Sequence, residues 1–381
     1  MLDLLAHFHT RVDDLLDLLT TLVGYETPST DKAAVDAMGC YLADWCRAHG
    51  ADVAVEPRDA VGDLVLAKWN ADAPGKPILA LMHMDTVWPV GTLAARPLRR
   101  EGDRLYGPGA FDMKGGIAVM LSAIKELRAL GAFPRRPVWA LFTSDEETGS
   151  DHSREVLQTV AGKAGLVLVP EPPTPDGGLK TARKGVGTFT VTIHGRPAHA
   201  GNEPEKGVNA VIEAARQVEA IAALSDPARG TTVTPTLIAG GTASNVIPAA
   251  ATLTVDVRAS QAGERARVER AMRRLAPTLP GAALEVGGGF DRPPMVRDAR
   301  MIQTFRQAAA IAERIGLPPL AEGSAGGGSD GNFTAALGIP TLDGLGPAGG
   351  GAHALDEHVV APGLARRAAL IAGLLLNWPP L

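Results

Sequence analysis

The sequence predicts an α/β core interrupted by a smaller α+β domain, and three observations carry that expectation. At 381 residues with 45% hydrophobic content, the chain is too long for one typical domain. Apolar strand-like runs alternate with helical periodicity from Asp52 to Val169. Between Val186 and Gly289 the order changes to β-α-β-β-α-β, the ferredoxin-like split arrangement. Residues 1–184 and 291–381 are therefore expected to form one discontinuous domain, and residues 185–290 an insertion in it.

Leu5, Phe8, Val12, Leu15, Leu19 and Leu22 recur at three- and four-residue steps, which predicts a first helix ending before Pro28. A second helix is expected behind Ser29 or Thr30, burying Ala34, Met38, Tyr41, Leu42 and Trp45 and stopping at His49-Gly50. Strands follow at 52–56 and 64–69, then comes the apolar run Ile78 to Met82, suited to a strand buried on both faces. That run ends in His83, with Asp85 two residues on and pointing the same way, placed to accept the spare ring N–H of the imidazole.

Three further stretches bring chemistry to the ends of elements. Gly107 to Gly116 is a Gly-rich loop leading into the helix Ile117 to Leu130, with Asp112 beside its positive end; an N-cap would look the same. The strand Pro137 to Thr143 runs into Ser144-Asp145-Glu146-Glu147, where adjacent carboxylates repel unless a cation offsets them; a solvated acidic turn is the plainer reading. The strand Gly165 to Val169 delivers Glu171 between Pro170 and Pro172. Far downstream a glycine-rich loop from Gly344 introduces His353, just ahead of Asp356 and Glu357. Ligands in open α/β sheets sit outside the carboxyl ends of strands. His83, Asp112, Glu147, Glu171 and His353 thus form a candidate nitrogen and oxygen site for zinc, cobalt or manganese, and Asp112 would bridge if five side chains hold two metals.

Composition excludes other classes. The charge is −5, from 37 basic and 42 acidic residues, with no basic run to track a phosphate backbone, so nucleic acid is not an expected partner. Neither glycine-rich pattern is a nucleotide fingerprint. Cys40 and Cys46 are the only cysteines, so no disulfide framework is expected. The longest apolar run near the end, 368–376, is far short of the ~20 residues that span a bilayer. Without a basic n-region or a small-residue cleavage site at the start, the reading is a cytoplasmic protein with no membrane partner.

The set His83-x-Asp85, Gly109-Ala110-Phe111-Asp112-Met113-Lys114-Gly115-Gly116, Asp145-Glu146-Glu147-Thr148-Gly149, Glu171-Pro172 and His353 resembles the co-catalytic zinc metallopeptidase family. That family includes glutamate carboxypeptidase, acetylornithine deacetylase, succinyl-diaminopimelate desuccinylase and the aminoacylases. The loops 324–332 and 344–353 look most like the glutamate carboxypeptidase branch. The resemblance implies a zinc-peptidase-like three-layer catalytic domain whose insert serves as a dimerisation and lid domain. It implies two Zn2+ ions sharing a bridging water or hydroxide. One would be held by His83 and Glu171, the other by Glu147 and His353, with Asp112 between them and the peptide bond after Asp112 cis. Asp85 would orient His83 and Glu146 would be the general base. In the homodimer, His199 would stabilise the oxyanion, while Asn245, Arg258 and, less directly, Arg292 would bind substrate.

The activity implied is hydrolysis of an amide next to a free α-carboxylate, releasing glutamate or a similar amino acid from a small peptide or N-acyl amino acid. An acetylornithine or succinyl-diaminopimelate type deacylase is the alternative. A non-catalytic dimeric binding module is a remote one, from which a ligand or the base would usually be missing.

Overall fold

The computed structural model describes residues 2–380, and its contacts divide the chain into two compact units. One runs to Thr181 and resumes at Arg297–Ala325 and from Ser329; the other is Ala182–Val296 with Gly326–Gly328.

The first unit is built on an eight-stranded mixed sheet. Its order is Asp52–Glu56, Leu64–Trp69, Val138–Thr143, Ile78–His83, Leu166–Val169, Thr341–Asp343, Leu179–Arg183 and Glu322–Ala325. The four central strands, those ending at Thr143, His83, Val169 and Asp343, run parallel. Strict alternation explains why the His83 strand is apolar throughout. Ile78, Ala80 and Met82 enter the core beneath the helices Gly115–Ala129 and Ala361–Asn377, whereas Leu79 and Leu81 enter a second core with Leu157, Val160 and Phe333 on the other face. Two covered faces make a three-layer α/β unit whose parallel strands all point their carboxyl ends the same way.

Local chemistry moved several boundaries. The first predicted helix is two, Leu4–His9 and Val12–Val23, separated at Thr10, whose hydroxyl bonds back to the His7 carbonyl. Asp31, rather than Ser29 or Thr30, caps the helix Lys32–Ala48 by accepting the Ala34 N–H. The buried face of that helix is Val35, Met38, Leu42 and Cys46, with Ala34, Tyr41 and Trp45 only half-buried. The last helix starts at Ala361 and takes Pro362 into its first turn, where the missing N–H costs nothing. A four-stranded sheet of two- and three-residue strands, including His358–Val360 against Arg104–Tyr106, was not expected at all.

The second unit is an antiparallel sheet in the order Thr231–Gly240, Ala250–Ala259, Gly185–His194, Ala283–Arg292, with the helices Ala210–Ala222 and Ala262–Arg273. Chain order and strand order are those of the ferredoxin-like split fold. Its core is separate and contains Phe189, Val191, Ile193, Leu253, Val255 and Val268. The last strand reaches Arg292 rather than Gly287, because the ladder continues through glycines that give no side-chain signal.

Candidate metal centre

Four parallel strands ending side by side explain how residues far apart in sequence meet. His83 is the last residue of its strand, Glu146 and Glu147 lie in the turn just past Thr143, Glu171 lies two residues past Val169, and His353 lies in the loop beyond Asp343. Asp112 comes from the loop before the helix Gly115–Ala129, and the Asp112–Met113 peptide bond is cis.

Asp112 stands between two imidazoles. Its Oδ1 is 3.4 Å from His83 Nε2 and its Oδ2 is 3.6 Å from His353 Nε2. Glu171 Oε1 lies 3.3 Å from His83 Nε2, and Glu147 Oε2 lies 3.1 Å from His353 Nε2. Bonds of ~2.0–2.2 Å to a tetrahedral ion leave its ligand atoms about 3.3–3.6 Å apart, so these separations suit donors around a cation. His83, Asp112 and Glu147 can each offer an atom within 4.8 Å of the others.

Two observations test whether a cation fits. His83 Nδ1 is 3.0 Å from the backbone carbonyl of Asp85, which can only accept, so Nδ1 carries the proton and Nε2 presents its lone pair to the carboxylates. That buried Nε2 makes no hydrogen bond, and neither does the buried Oε1 of Glu147. Polar atoms orphaned inside a protein are rare, and a cation among them would satisfy both. Without one, the charges fall on the histidines. Burial opposes a proton on His83, but Asp112, Asp85 and Glu171 outweigh it and hold its pKa well above the ordinary value. The hydrogen bond to Glu147 raises His353 to about 9.

Asp85 meets His83 twice. Its backbone carbonyl lies 3.0 Å from Nδ1 and its carboxylate 3.5 Å from the same nitrogen. The carboxylate also accepts Ser29 Oγ–H at 2.6 Å and the backbone N–H groups of Glu146 and Glu147 at 3.2 and 3.1 Å. Asp85 therefore pins the turn that carries both glutamates. Of the acidic triplet, Asp145 turns away, accepting the His152 N–H.

Glu357 is the participant sequence reasoning left without a role. Only 2% exposed, it accepts the backbone N–H groups of Gly109, Phe111 and Asp112 and the Trp88 indole N–H. It is the anchor of the Asp112 loop. The available signal was a carboxylate following a ligand histidine, opposite a glycine-rich loop whose N–H groups need acceptors. Close approach fixes the remaining ligand segment: a Cβ on Gly116 would fall 1.8 Å from the Pro170 carbonyl oxygen, next to Glu171.

The other predicted site residues belong to the second unit. Exposed His199 accepts the Gly201 and Asn202 N–H groups at Nδ1, leaving Nε2–H as a donor. Asn245 is exposed on the neighbouring loop, its carbonyl accepting the Ala200 N–H. The guanidinium of Arg258 is held by Asp256 through three contacts of 2.9–3.1 Å. Arg292 is buried.

With this geometry in place, comparison with known proteins identifies the relatives. Peptidase family M20/M25/M40 matches residues 79–377. Carboxypeptidase G2 of Pseudomonas sp. (strain RS-16) is 34% identical over 95% of this chain and 89% of its own. A succinyl-diaminopimelate desuccinylase of Xylella fastidiosa is 30% identical over 76% and 81%. Among solved structures, an M20 family metallo-carboxypeptidase from Sulfolobus solfataricus shares the fold with a TM-score of 0.74 at 19% identity, covering 95% of this chain and 98% of that one. Aminopeptidase PepT from Bacillus cereus gives 0.75 at 22% identity, covering 96% and 98%. The chain belongs to peptidase family M20/M25/M40 and is a hydrolytic enzyme of that metal-dependent family.

Proposed function

We propose that this enzyme hydrolyses an amide bond next to a free α-carboxylate, releasing a C-terminal amino acid such as glutamate from a small peptide or N-acyl amino acid. The observation that carries the reading is the Asp112 carboxylate set between His83 and His353, with Glu171 and Glu147 beside them. These five side chains would hold two zinc ions, His83 with Glu171 and His353 with Glu147, and Asp112 would serve both. Cobalt or manganese suits the same donors. When bound, such ions polarise a carbonyl and lower the pKa of a water.

The remaining work belongs to the chain. Glu146, buried in the turn that Asp85 fixes, takes the proton of the attacking water and returns it to the leaving amine nitrogen. His199, as an Nε2–H donor, stabilises the oxyanion. Arg258 supplies a fork for the substrate carboxylate in exchange for Asp256, and Asn245 adds polar contacts. Arg292 is assigned to substrate as well.

The second unit would join two copies. Its edge strand Thr231–Gly240 leaves Leu237 67% and Ile238 57% exposed, beside exposed Val211 and Ile212 on the adjacent helix. An unpaired apolar edge of this kind needs cover, and a two-fold partner supplies it. Among the described residues no helix is long and apolar enough to cross a membrane. Both cysteines are free, in keeping with a reducing cytoplasm.

The test is turnover of N-acyl glutamate, N-acyl leucine, dipeptides, N-acetylornithine and succinyl-diaminopimelate by zinc-loaded wild type and Glu146→Ala. Turnover of the glutamate compounds that collapses by several orders of magnitude in the variant, with zinc retained, is the expected result. Preferential turnover of N-acetylornithine or the succinyl compound would replace this reading with the deacylase one.

A further inference from the structure

A cavity of about 290 Å³ lies in the first unit away from the metal ligands, between the turn 175–177, the segment Leu317–Ala321 and the start of the helix Ala361–Asn377. That is room for about ten waters at ~30 Å³ each, the small end of ligand sites. Leu317, Leu320 and Leu370 make part of its wall apolar. Arg366 and Arg367 also line it.

Arg367 is the unusual feature. It is only 6% exposed, yet among the described residues its one hydrogen bond runs from Nη2 to the Gly177 carbonyl. Among the described residues no carboxylate lies within ion-pairing distance of it. Burial, and then the like charge of Arg366, lower its pKa to about 10. Asp176 also lines the cavity and brings a negative charge to its rim, with Oδ1 taken by the Thr174 hydroxyl and the Gly178 N–H. The 17-residue helix bearing both arginines has no side-chain cap, and Gly363 of its first turn lines the same cavity. A buried cation without a counter-charge is costly, and the positive end of a helix adds to the same potential.

We propose that this cavity is a second ligand site, for a small carboxylate with an apolar tail of about six carbons, and that the planar fork of Arg367 receives the carboxylate while the leucines receive the tail. Nothing in the catalytic reading is needed for it. Two of its walls nevertheless continue into ligand segments: Asp176 lies five residues past Glu171, and Ala348 five before His353.

The test is calorimetric titration of the full-length, zinc-loaded protein with hexanoate, hexan-1-ol and inorganic phosphate. Hexanoate is expected to bind wild type and the metal-ligand variant Glu147→Gln alike, with the alcohol at least about ten-fold weaker, as for loss of one charged hydrogen-bond partner, and phosphate weaker because it brings no apolar tail to the leucines. Arg367→Met should weaken hexanoate by the same factor. Ala321→Phe, which fills the cavity and leaves both arginines in place, should abolish binding and serves if the arginine variant fails to fold. No binding to wild type would overturn the proposal. So would equal binding of the alcohol, binding lost with Glu147→Gln, which would place hexanoate at the metal centre, or binding unchanged in Arg367→Met, which would reduce Arg367 to a clamp on Gly177.

Discussion

Replacing Glu357 with glutamine tests whether the Asp112 carboxylate is held from behind. Glu357 Oε2 accepts the Gly109 N–H at 2.8 Å and the Trp88 indole N–H at 2.7 Å, and Oε1 accepts the Phe111 and Asp112 N–H groups, both at 3.0 Å. Whichever way a glutamine amide is placed, its NH2 faces two donors, so two hydrogen bonds to a charged acceptor disappear. At ~1.5–3 kcal/mol each, the loss is about 3–6 kcal/mol. Burial partly offsets it: it pushes the Glu357 carboxyl pKa above the usual range, and the four donors pull back without cancelling the shift. The lower end, about 3 kcal/mol, is therefore expected. With an unfolding entropy of ~2.1 cal/mol/K per residue over 381 residues, that is a fall in Tm of about 4 °C.

Zinc affinity, measured by competition with a chromogenic chelator, should drop about 10- to 100-fold, as it does when groups supporting metal ligands are removed. Trp88→Phe is the control: it removes one donor that is not part of the loop, so zinc affinity should hold while stability falls by about 1.5 kcal/mol, the lower end for one bond to a charged acceptor. If Glu357→Gln keeps both the wild-type Tm and zinc affinity, the anchoring argument fails.

Three further outcomes are expected. Gly116→Ala forces its Cβ against the Pro170 carbonyl, so zinc binding should weaken about 10-fold or more while circular dichroism stays native; an unchanged affinity would mean the Glu171 segment yields freely. Ile238→Glu places a charge on an exposed apolar edge and would act twice in the proposed two-fold dimer, so light scattering should report a dimer for wild type and monomers for the variant. Arg267 above all, helped by Thr231 and Arg229, holds the Glu264 carboxyl at about 2, below its unfolded value near 4.5. A depressed acid stabilises the fold above its unfolded pKa and ceases to as pH falls through the folded one. Urea midpoints should therefore decline between pH 4.5 and 2 in wild type and decline less in Glu264→Gln.

The candidate ligands were legible because each stands where a local signal changes: an apolar strand stops and a histidine or carboxylate follows, as at His83 and Glu171. The insert was legible because period-2 and period-3.6 patterns alternate cleanly in it. What was hidden depends on distant partners. Glu357 meets Gly109 across 248 residues, and nothing in its neighbourhood reveals that loop. Asp85 sits where spacing placed it, but spacing gave no sign that Ser29 and the backbone of Glu146 and Glu147 also hold its carboxylate. The pairing of Arg258 with Asp256 lay two residues apart in plain view, but which group a guanidinium faces is settled by packing. The small sheet around His358–Val360 is too short for any periodicity to announce it.

The arrangement of ligands also sets a clock. The first, His83, and the last, His353, are 270 positions apart, and at ~5–20 residues per second the ribosome needs about 15–50 s to make what lies between them. Throughout that interval the proposed centre would be incomplete, and the Asp112 loop waits for Glu357, four residues beyond His353, before its N–H groups are satisfied. On the proposed ligand set, the second imidazole is in place only once residue 353 has been made. Which cation would enter such a site depends on what is free at that moment, because intrinsic affinity alone would prefer copper to zinc.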